Sequence, residues 1–319
     1  MRTRIRRGQA ICLMGLISVL ILPVAHAQAG PDLVPVAFHP YPDESDILGF
    51  PAAPRSDIDH YMQAYRLYDE NRDGFDFPHV VVDGTIPIEG LPDGSQPFAS
   101  TKAAYANAIA TRLTAESPLT LSIQSTLGAD ARISVEATPR SPLADETLTL
   151  RVVLMEDHVF FEAPPALSNG ISNHRFTARD IASQSIDLRT GETVSWNPQF
   201  DVSGYDATQL YAAVWIQAGT ESNRFAPLEV LQAALHPIGG DPTVQESKAV
   251  LLETYTASWC DACVYGDLAI EELAEEHGAG RPKPVASGPT YWQGFQNPGW
   301  TMVAGAAFVL ALTRMRGAP

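Results

Sequence analysis

Cys260 and Cys263 stand three residues apart in the run Trp259-Cys260-Asp261-Ala262-Cys263, and two thiols at that spacing can exchange with a disulfide. Residues 249–255 before them form an apolar, strand-like run, and the residues after them have helical periodicity. At a helix start the first sulfur lies over backbone N–H groups without helical partners, which favour its thiolate; the second is within reach to close a disulfide. Cys260 is therefore read as the attacking thiolate and Cys263 as the resolving thiol. Asp261 places a carboxylate beside the nucleophile and opposes its ionisation, which predicts a reducing rather than a strongly oxidising poise. Trp259 is expected either to shield the sulfurs or to pack in the core.

Two other chemistries use the same spacing. Half of a zinc site needs a second pair of ligands, but His277 is the one histidine nearby downstream and nothing has the His-x3-5-His spacing. No metal or cofactor is expected. A disulfide that only staples an exported chain is the other alternative. Histidines 39, 60, 79, 158, 174 and 236 are scattered without ligand spacing and read as structural or surface residues. Residues 69–74 resemble the first half of a calcium loop, but the twelfth position is Val80 rather than glutamate, so a turn is expected.

The ends of the chain suggest where this chemistry would take place. Residues 1–27 carry Arg2, Arg4, Arg6 and Arg7, then an apolar run, then Ala25-His26-Ala27, the three parts of an export signal. Its removal takes Cys12 with it and leaves one cysteine pair, as expected where disulfides persist. It also takes four arginines and no acids, so the net charge falls from −16 to −20, which argues against a nucleic-acid partner. Residues 281–299 read as a linker. The uncharged stretch within 300–316, bounded by Arg314 and Arg316, reads as a hydrophobic helix, either a membrane anchor or a sorting tail. The expected location is the extracytoplasmic face of the cell membrane or envelope.

Between these ends the pattern changes twice. Residues 28–116 give the order β-α-β-β-α: an apolar run at Leu33–Phe38, helical spacing at 56–68, a strand entered at Phe77-Pro78 and closed by Asp83-Gly84, then residues 86–88, then an alanine-rich helix at Pro97–Leu113. Residues 117–238 alternate apolar and polar positions at 119–123, 133–135, 148–154, 186–188 and 210–216, the signature of an antiparallel β-sandwich. Asp241-Pro242 and the polar residues to Lys248 read as a linker into the segment 239–280 that carries the cysteines.

The strand, Trp-Cys-x-x-Cys and helix resemble the first strand and helix of the thioredoxin fold. What should follow them is found instead at the N-terminus, in the right order. The resemblance therefore implies a circularly permuted or split α/β thioredoxin-like domain assembled from the N- and C-terminal segments, with the all-β antiparallel sandwich inserted between. The residues Leu154-Met155-Glu156-Asp157, His174-Arg175 and 230–233 are similar to the sandwich that follows thioredoxin domains in the Omp-twenty-eight family of secreted proteins. Pro78 would then be the cis-proline that packs against the disulfide and presents its flanking backbone to a substrate strand. Where such folds commonly carry an acid, six residues before the first cysteine, this chain has Thr254; Glu253 is one residue earlier, on the opposite strand face, and is expected to be solvated or salt-bridged.

An independent argument joins the two segments, because neither buries its apolar faces and sheet edges alone. Completion by a second copy, giving a swapped dimer, and a degenerate N-terminal half remain open. The implied activity is that of an exported thiol-disulfide oxidoreductase, with protein disulfides as substrates and an unknown electron donor. The alternative is a non-enzymatic surface protein whose sandwich binds a partner.

Overall fold

The structure, a computed structural model, describes residues 28–39, 46, 48, 77–92, 97–143, 148–161, 169–218 and 228–279. The export signal at 1–27, the helix expected at 56–68, the turn at 69–74, the linker at 281–299 and the hydrophobic tail at 300–316 lie outside the described residues. Among the described residues no helix is long and apolar enough to cross a membrane.

In chain order the first elements are β1 (Gln28–Ala29), β2 (Leu33–Phe38), β3 (His79–Val82), β4 (Ile86–Glu89) and α1 (Pro97–Leu113). The long middle follows: β5 (Leu119–Leu127), β6 (Asp130–Pro139), β7 (Leu148–Glu156), β8 (Val159–Phe160), β9 (Asn173–His174), β10 (Thr177–Ile186), β11 (Val194–Trp196), β12 (Gln199–Asp201), β13 (Leu210–Ala218) and β14 (Val230–Pro237). The last are β15 (Thr243–Gln245), β16 (Val250–Tyr255) and α2 (Cys263–Glu276).

The strands form a mixed eight-stranded sheet in the order β14-β13-β7-β10-β2-β16-β3-β4 and a six-stranded sheet, β1-β15-β5-β6-β11 with β12 also on β6. As the complementary patterns predict, β2 and β16 pair in parallel, from Leu33 opposite Val250 to Phe38 opposite Tyr255. On its other side β16 takes β3 antiparallel. All six residues of β2 and of β16 are buried, as a parallel pair covered on both faces requires.

One sheet thus runs through the terminal segments and the middle of the chain, although the cores remain two. The join is the parallel bridge of Thr177 in β10 to Ala37 in β2. Strands β7 and β13 are buried on both faces because each feeds both cores. Leu150, Val152, Leu154, Ala212, Val214 and Ile216 pack with the six-stranded sheet, while Val153, Met155, Ala213 and Trp215 pack with β2, β3, β16 and the helices.

Two expectations need correction. Residues 243–245 are not a linker: they form β15, antiparallel to β5, with Thr243 and Gln245 turned inward at period two. Of the strand expected at 186–188 only Ile186 is in a strand, as the last residue of β10, which pairs with β7 through a bulge between Ala178 and Asp180. In α1 the buried positions are Thr101, Tyr105, Ala108 and Ile109, with Ala104 and Leu113 partly buried against the same core.

A single carboxylate links these parts. Asp83, fully buried, accepts hydrogen bonds from Arg112 Nε of α1 at 2.9 Å and from the Leu251 backbone N–H of β16 at 3.2 Å, and Lys248 Nζ lies 2.8 Å away. Its carbonyl accepts from Val230 of β14, and Lys248 also donates to the Val230 carbonyl. The turn that presents it has positive φ at both Asp83 (53°) and Gly84 (71°), and any side chain at position 84 would collide with the Leu228 carbonyl oxygen. Removing one partner of such a group strands the opposite charge in the interior. We expect Asp83→Ala to lose about 3–5 kcal/mol of stability, read from denaturant unfolding. An unfolding midpoint equal to wild type would show that the carboxylate does not join the segments.

Candidate functional site

The loop between β16 and α2 carries the two cysteines, and they are joined as a disulfide with Cα atoms 5.3 Å apart. Cys260 is 6% exposed and Cys263 fully buried. The Cys263 N–H, in the first turn of α2, donates to Cys260 Sγ at 3.1 Å. Ala262 at the N-cap contributes no side-chain hydrogen bond, so the sulfur takes the place of a capping oxygen. The helix start thus presents N–H polarity to the sulfur expected to carry negative charge.

Phe77, more than 180 positions earlier in the chain, lies against this disulfide, and Pro78 follows it. Phe77 packs on the cluster of Ala257, Cys260 and Cys263 and meets the Trp259 ring edge-to-face at 5.8 Å. The Phe77-Pro78 peptide is cis. Pro78 faces Gly266 of α2 so closely that a Cβ at 266 would lie 3.3 Å from the proline ring and 3.2 Å from Tyr105 Oη. A side-chain-free position lets the helix approach the proline loop. Trp259 itself is 39% exposed, so it packs on Phe77 from outside rather than filling the core. Asp261 points to solvent, where its charge is screened.

The middle of the chain positions the site as well. Asn169 donates its backbone N–H to the Ser258 carbonyl at 2.7 Å and its side-chain amide to the Cys260 carbonyl at 3.3 Å. Arg175 forms a bidentate pair with Asp157, at 2.6 and 3.0 Å, and reaches Glu271 of α2 at 3.1 Å. The cysteine loop and the helix behind it are therefore both tied to the inserted strands.

Between β2, β9, β16 and α2 lies a cavity of about 30 Å³, lined by Ala37, His174, Arg175, Thr254, Thr256 and Asp267 among others. Asp267 accepts a hydrogen bond from Thr256 Oγ1 at 3.3 Å. Burial pushes its carboxyl up to about 7; Asp46 and Glu271 add to the rise, and His39 and Thr256 oppose it. Burial pushes the His174 imidazole down to about 4, helped by neighbouring His39.

The structure joins Cys260 and Cys263, links Trp259 to them through Phe77, sets Pro78 against the helix that follows the cysteines, and leaves Asp261 exposed. Glu253 is not solvated: it is fully buried, because β16 is covered on both faces. Four of the histidines read as scattered are buried, and His39 and His174 meet beside α2 with ring centroids 6.2 Å apart. Asp267 is the residue that sequence reasoning passed over. Its signal was present: it is one helical turn after Cys263, on the same face.

No family model matches the chain, and no curated protein does. Among solved structures, HBP35 of Porphyromonas gingivalis is similar over 68% of this chain and 78% of its own, with 11% identity and a TM-score of 0.44. A β-glucosidase from Kluyveromyces marxianus is similar over 43% of this chain and 15% of its own, with 11% identity and a TM-score of 0.20. At these scores neither likeness decides fold or activity, and the geometry of the site carries the reading.

The raised Asp267 pKa sets a pH dependence of stability. A carboxyl whose folded pKa, about 7, exceeds its unfolded value of 3.8 contributes stability that is full below 3.8 and is lost as pH rises through 7. Asp267→Asn, which cannot ionise, should therefore gain stability relative to wild type as pH rises from 4 to 8. Asp267 keeps some surface in solvent, so the gain at pH 8 is expected to be about 1–2 kcal/mol, below the full value of three pH units. Melting curves for both proteins at pH 4, 6 and 8 measure it; a constant difference would refute the assignment.

Proposed function

We propose that the protein is an exported thiol-disulfide oxidoreductase, built as a permuted thioredoxin-like unit around an inserted sandwich, that reduces or isomerises disulfides in other exported proteins. The observation that carries this reading is the packing of Phe77 from one end of the chain on a Cys260–Cys263 disulfide at a helix start from the other, with the adjoining Pro78 set against Gly266 of that helix. A purely structural staple needs no such convergence of a distant loop, an uncapped helix N-terminus and an aromatic cover.

In the reduced protein the Cys260 thiolate attacks a substrate disulfide R–S–S–R′, forming Cys260–S–S–R and releasing R′–S⁻. Cys263 then loses its proton and attacks Cys260 Sγ; R–S⁻ leaves and the Cys260–Cys263 disulfide forms. The substrate gains two electrons and the dithiol loses two. A thiol donor from outside restores the dithiol. Exposed Trp259 and Tyr265 flank the disulfide and offer apolar contact to an unfolded segment.

Cys260→Ser is expected to abolish turnover with a generic disulfide substrate such as insulin, and Cys263→Ser to accumulate mixed disulfides that survive on a non-reducing gel. Wild-type turnover in Cys260→Ser would remove the enzyme reading and leave a stapled surface protein. The proposed location outside the membrane, held by the tail, has its own test. Removal of residues 298–319 is expected to move the protein from the membrane to the soluble fraction with dithiol activity intact. Loss of that activity would make the tail part of the folded unit.

A further inference from the structure

The cysteine loop is gripped from the inserted strands by one residue. Asn169, between β8 and β9, donates its backbone N–H to the Ser258 carbonyl at 2.7 Å and its side-chain amide to the Cys260 carbonyl at 3.3 Å, one contact on each side of Trp259. The orientation of the amide is set by its other end. Oδ1 accepts the Ile171 N–H at 3.1 Å, across a turn made by Gly170 at φ 87°, and this leaves the NH₂ group for the Cys260 carbonyl.

What Asn169 holds is the oxygen that competes with the nucleophile for a proton donor. The Cys263 N–H lies 3.1 Å from the Cys260 carbonyl oxygen and 3.1 Å from Cys260 Sγ, so a single donor is divided between them. A carbonyl oxygen that already accepts from one donor offers less negative charge to the next, and Asn169 also fixes its direction. Once Cys260 is reduced and ionised, the N–H can turn towards the thiolate, and a hydrogen bond to a charged acceptor is roughly twice as strong as one to a neutral acceptor.

The surroundings make that donor matter. Ala257, Ala262 and Phe77 pack with the cysteines, and apolar burial alone would disfavour the thiolate. The charged groups on the loop and beside it are Asp261, which is exposed, Asp46, which is hydrogen-bonded to Ser258 and paired with His39, and Asp267 on α2. The carboxylates oppose a thiolate, which leaves backbone N–H polarity to favour it.

Resting on the oxidoreductase reading, we propose that Asn169 is a positioning residue for the Cys260 nucleophile: by engaging the Cys260 carbonyl it releases the Cys263 N–H to the thiolate, so that the inserted sandwich sets the ionisation of a cysteine 91 residues away. No covalent step is added. Asn169 raises the fraction of Cys260 present as thiolate below its pKa, and with it the rate of attack on R–S–S–R′.

The test uses the full chain with Asn169→Ser and Asn169→Asp. Asn169 is partly exposed, so neither substitution disturbs a core. Both keep an acceptor oxygen for the Ile171 N–H, but serine is too short to reach the Cys260 carbonyl and aspartate has no proton to donate to it. In the reduced protein, the Cys260 thiolate is titrated by its ultraviolet absorbance. The thiolate fraction on the acid side of the transition should fall about three- to tenfold in Asn169→Ser, and further in Asn169→Asp, which adds a negative charge. The equilibrium constant for oxidation by glutathione disulfide should match wild type at pH 5 and rise by up to the same factor at pH 9, because the donor acts on the thiolate alone. Titrations superimposable on wild type, a shift in Asn169→Asp alone, or an offset in the glutathione equilibrium equal at both pH values would mark a contact that only braces the loop, and each would overturn the proposal. None of these readouts needs turnover. If the wild type leaves insulin unreduced, the oxidoreductase reading fails, while the titrations still decide whether Asn169 tunes Cys260.

Discussion

The buried carboxylate of Asp83 is the constraint on which the rest of the structure depends. A parallel strand pair needs a crossover between its members, and here the crossover between β2 and β16 is most of the chain. Closing so long a loop carries an entropic cost that grows only slowly with its length, but something specific must fix the register of the ends. Asp83 does so by engaging α1 through Arg112, β14 through Val230 and β16 through Leu251 and Lys248. Since β3 runs from the Phe77-Pro78 loop to Asp83, fixing one end of this four-residue strand fixes where the other meets the disulfide.

The inserted strands are part of the same device. Because β7 and β13 contribute opposite faces to two cores, the sandwich cannot move relative to β2 and β16 without opening both. Its loops then reach the site: Asn169 holds the cysteine loop by backbone and side chain, and Arg175 carries Asp157 across to Glu271 on the helix behind the disulfide. Position 169 is over ninety residues from Cys260, so the loop's shape is a tertiary property.

Much of this was legible in the residues. The apolar runs at Leu33–Phe38 and Val250–Tyr255, the helix at Pro97–Leu113 and the Cys-x-x-Cys turn into α2 all stand where periodicity placed them. What failed did so for identifiable reasons. β10 reads Thr-Ala-Arg-Asp-Ile-Ala-Ser-Gln-Ser-Ile, too polar for a strand signal, and is held by its full ladder with β7. β15 is three residues, shorter than any period can declare. Glu253 was read as solvated or salt-bridged, and the solvated alternative failed because the pattern could not reveal that both faces of β16 would be covered.

Asp267 was hidden by its company. It shares α2 with Glu271, Glu272, Glu275 and Glu276, and an acid-rich helix reads as a solvated face. Those acids do not have one environment. Glu272 and Glu276 turn outward to Lys102 of α1, with Nζ–O distances of 2.6 and 2.7 Å, and Glu271 is matched by Arg175. Asp267 alone of these receives only a threonine hydroxyl within hydrogen-bond distance among the described residues. With the segments carrying His39 and His174 folded over it, its charge is only partly solvated and has no ion-pair partner among the described residues, and the proton becomes the remaining way to stabilise the group. The feature that distinguishes Asp267 is therefore that, among the described residues, Arg175 is engaged by Asp157 and Glu271 and no cation lies within ion-pair distance of the Asp267 carboxylate, which only the folded arrangement of distant segments can establish.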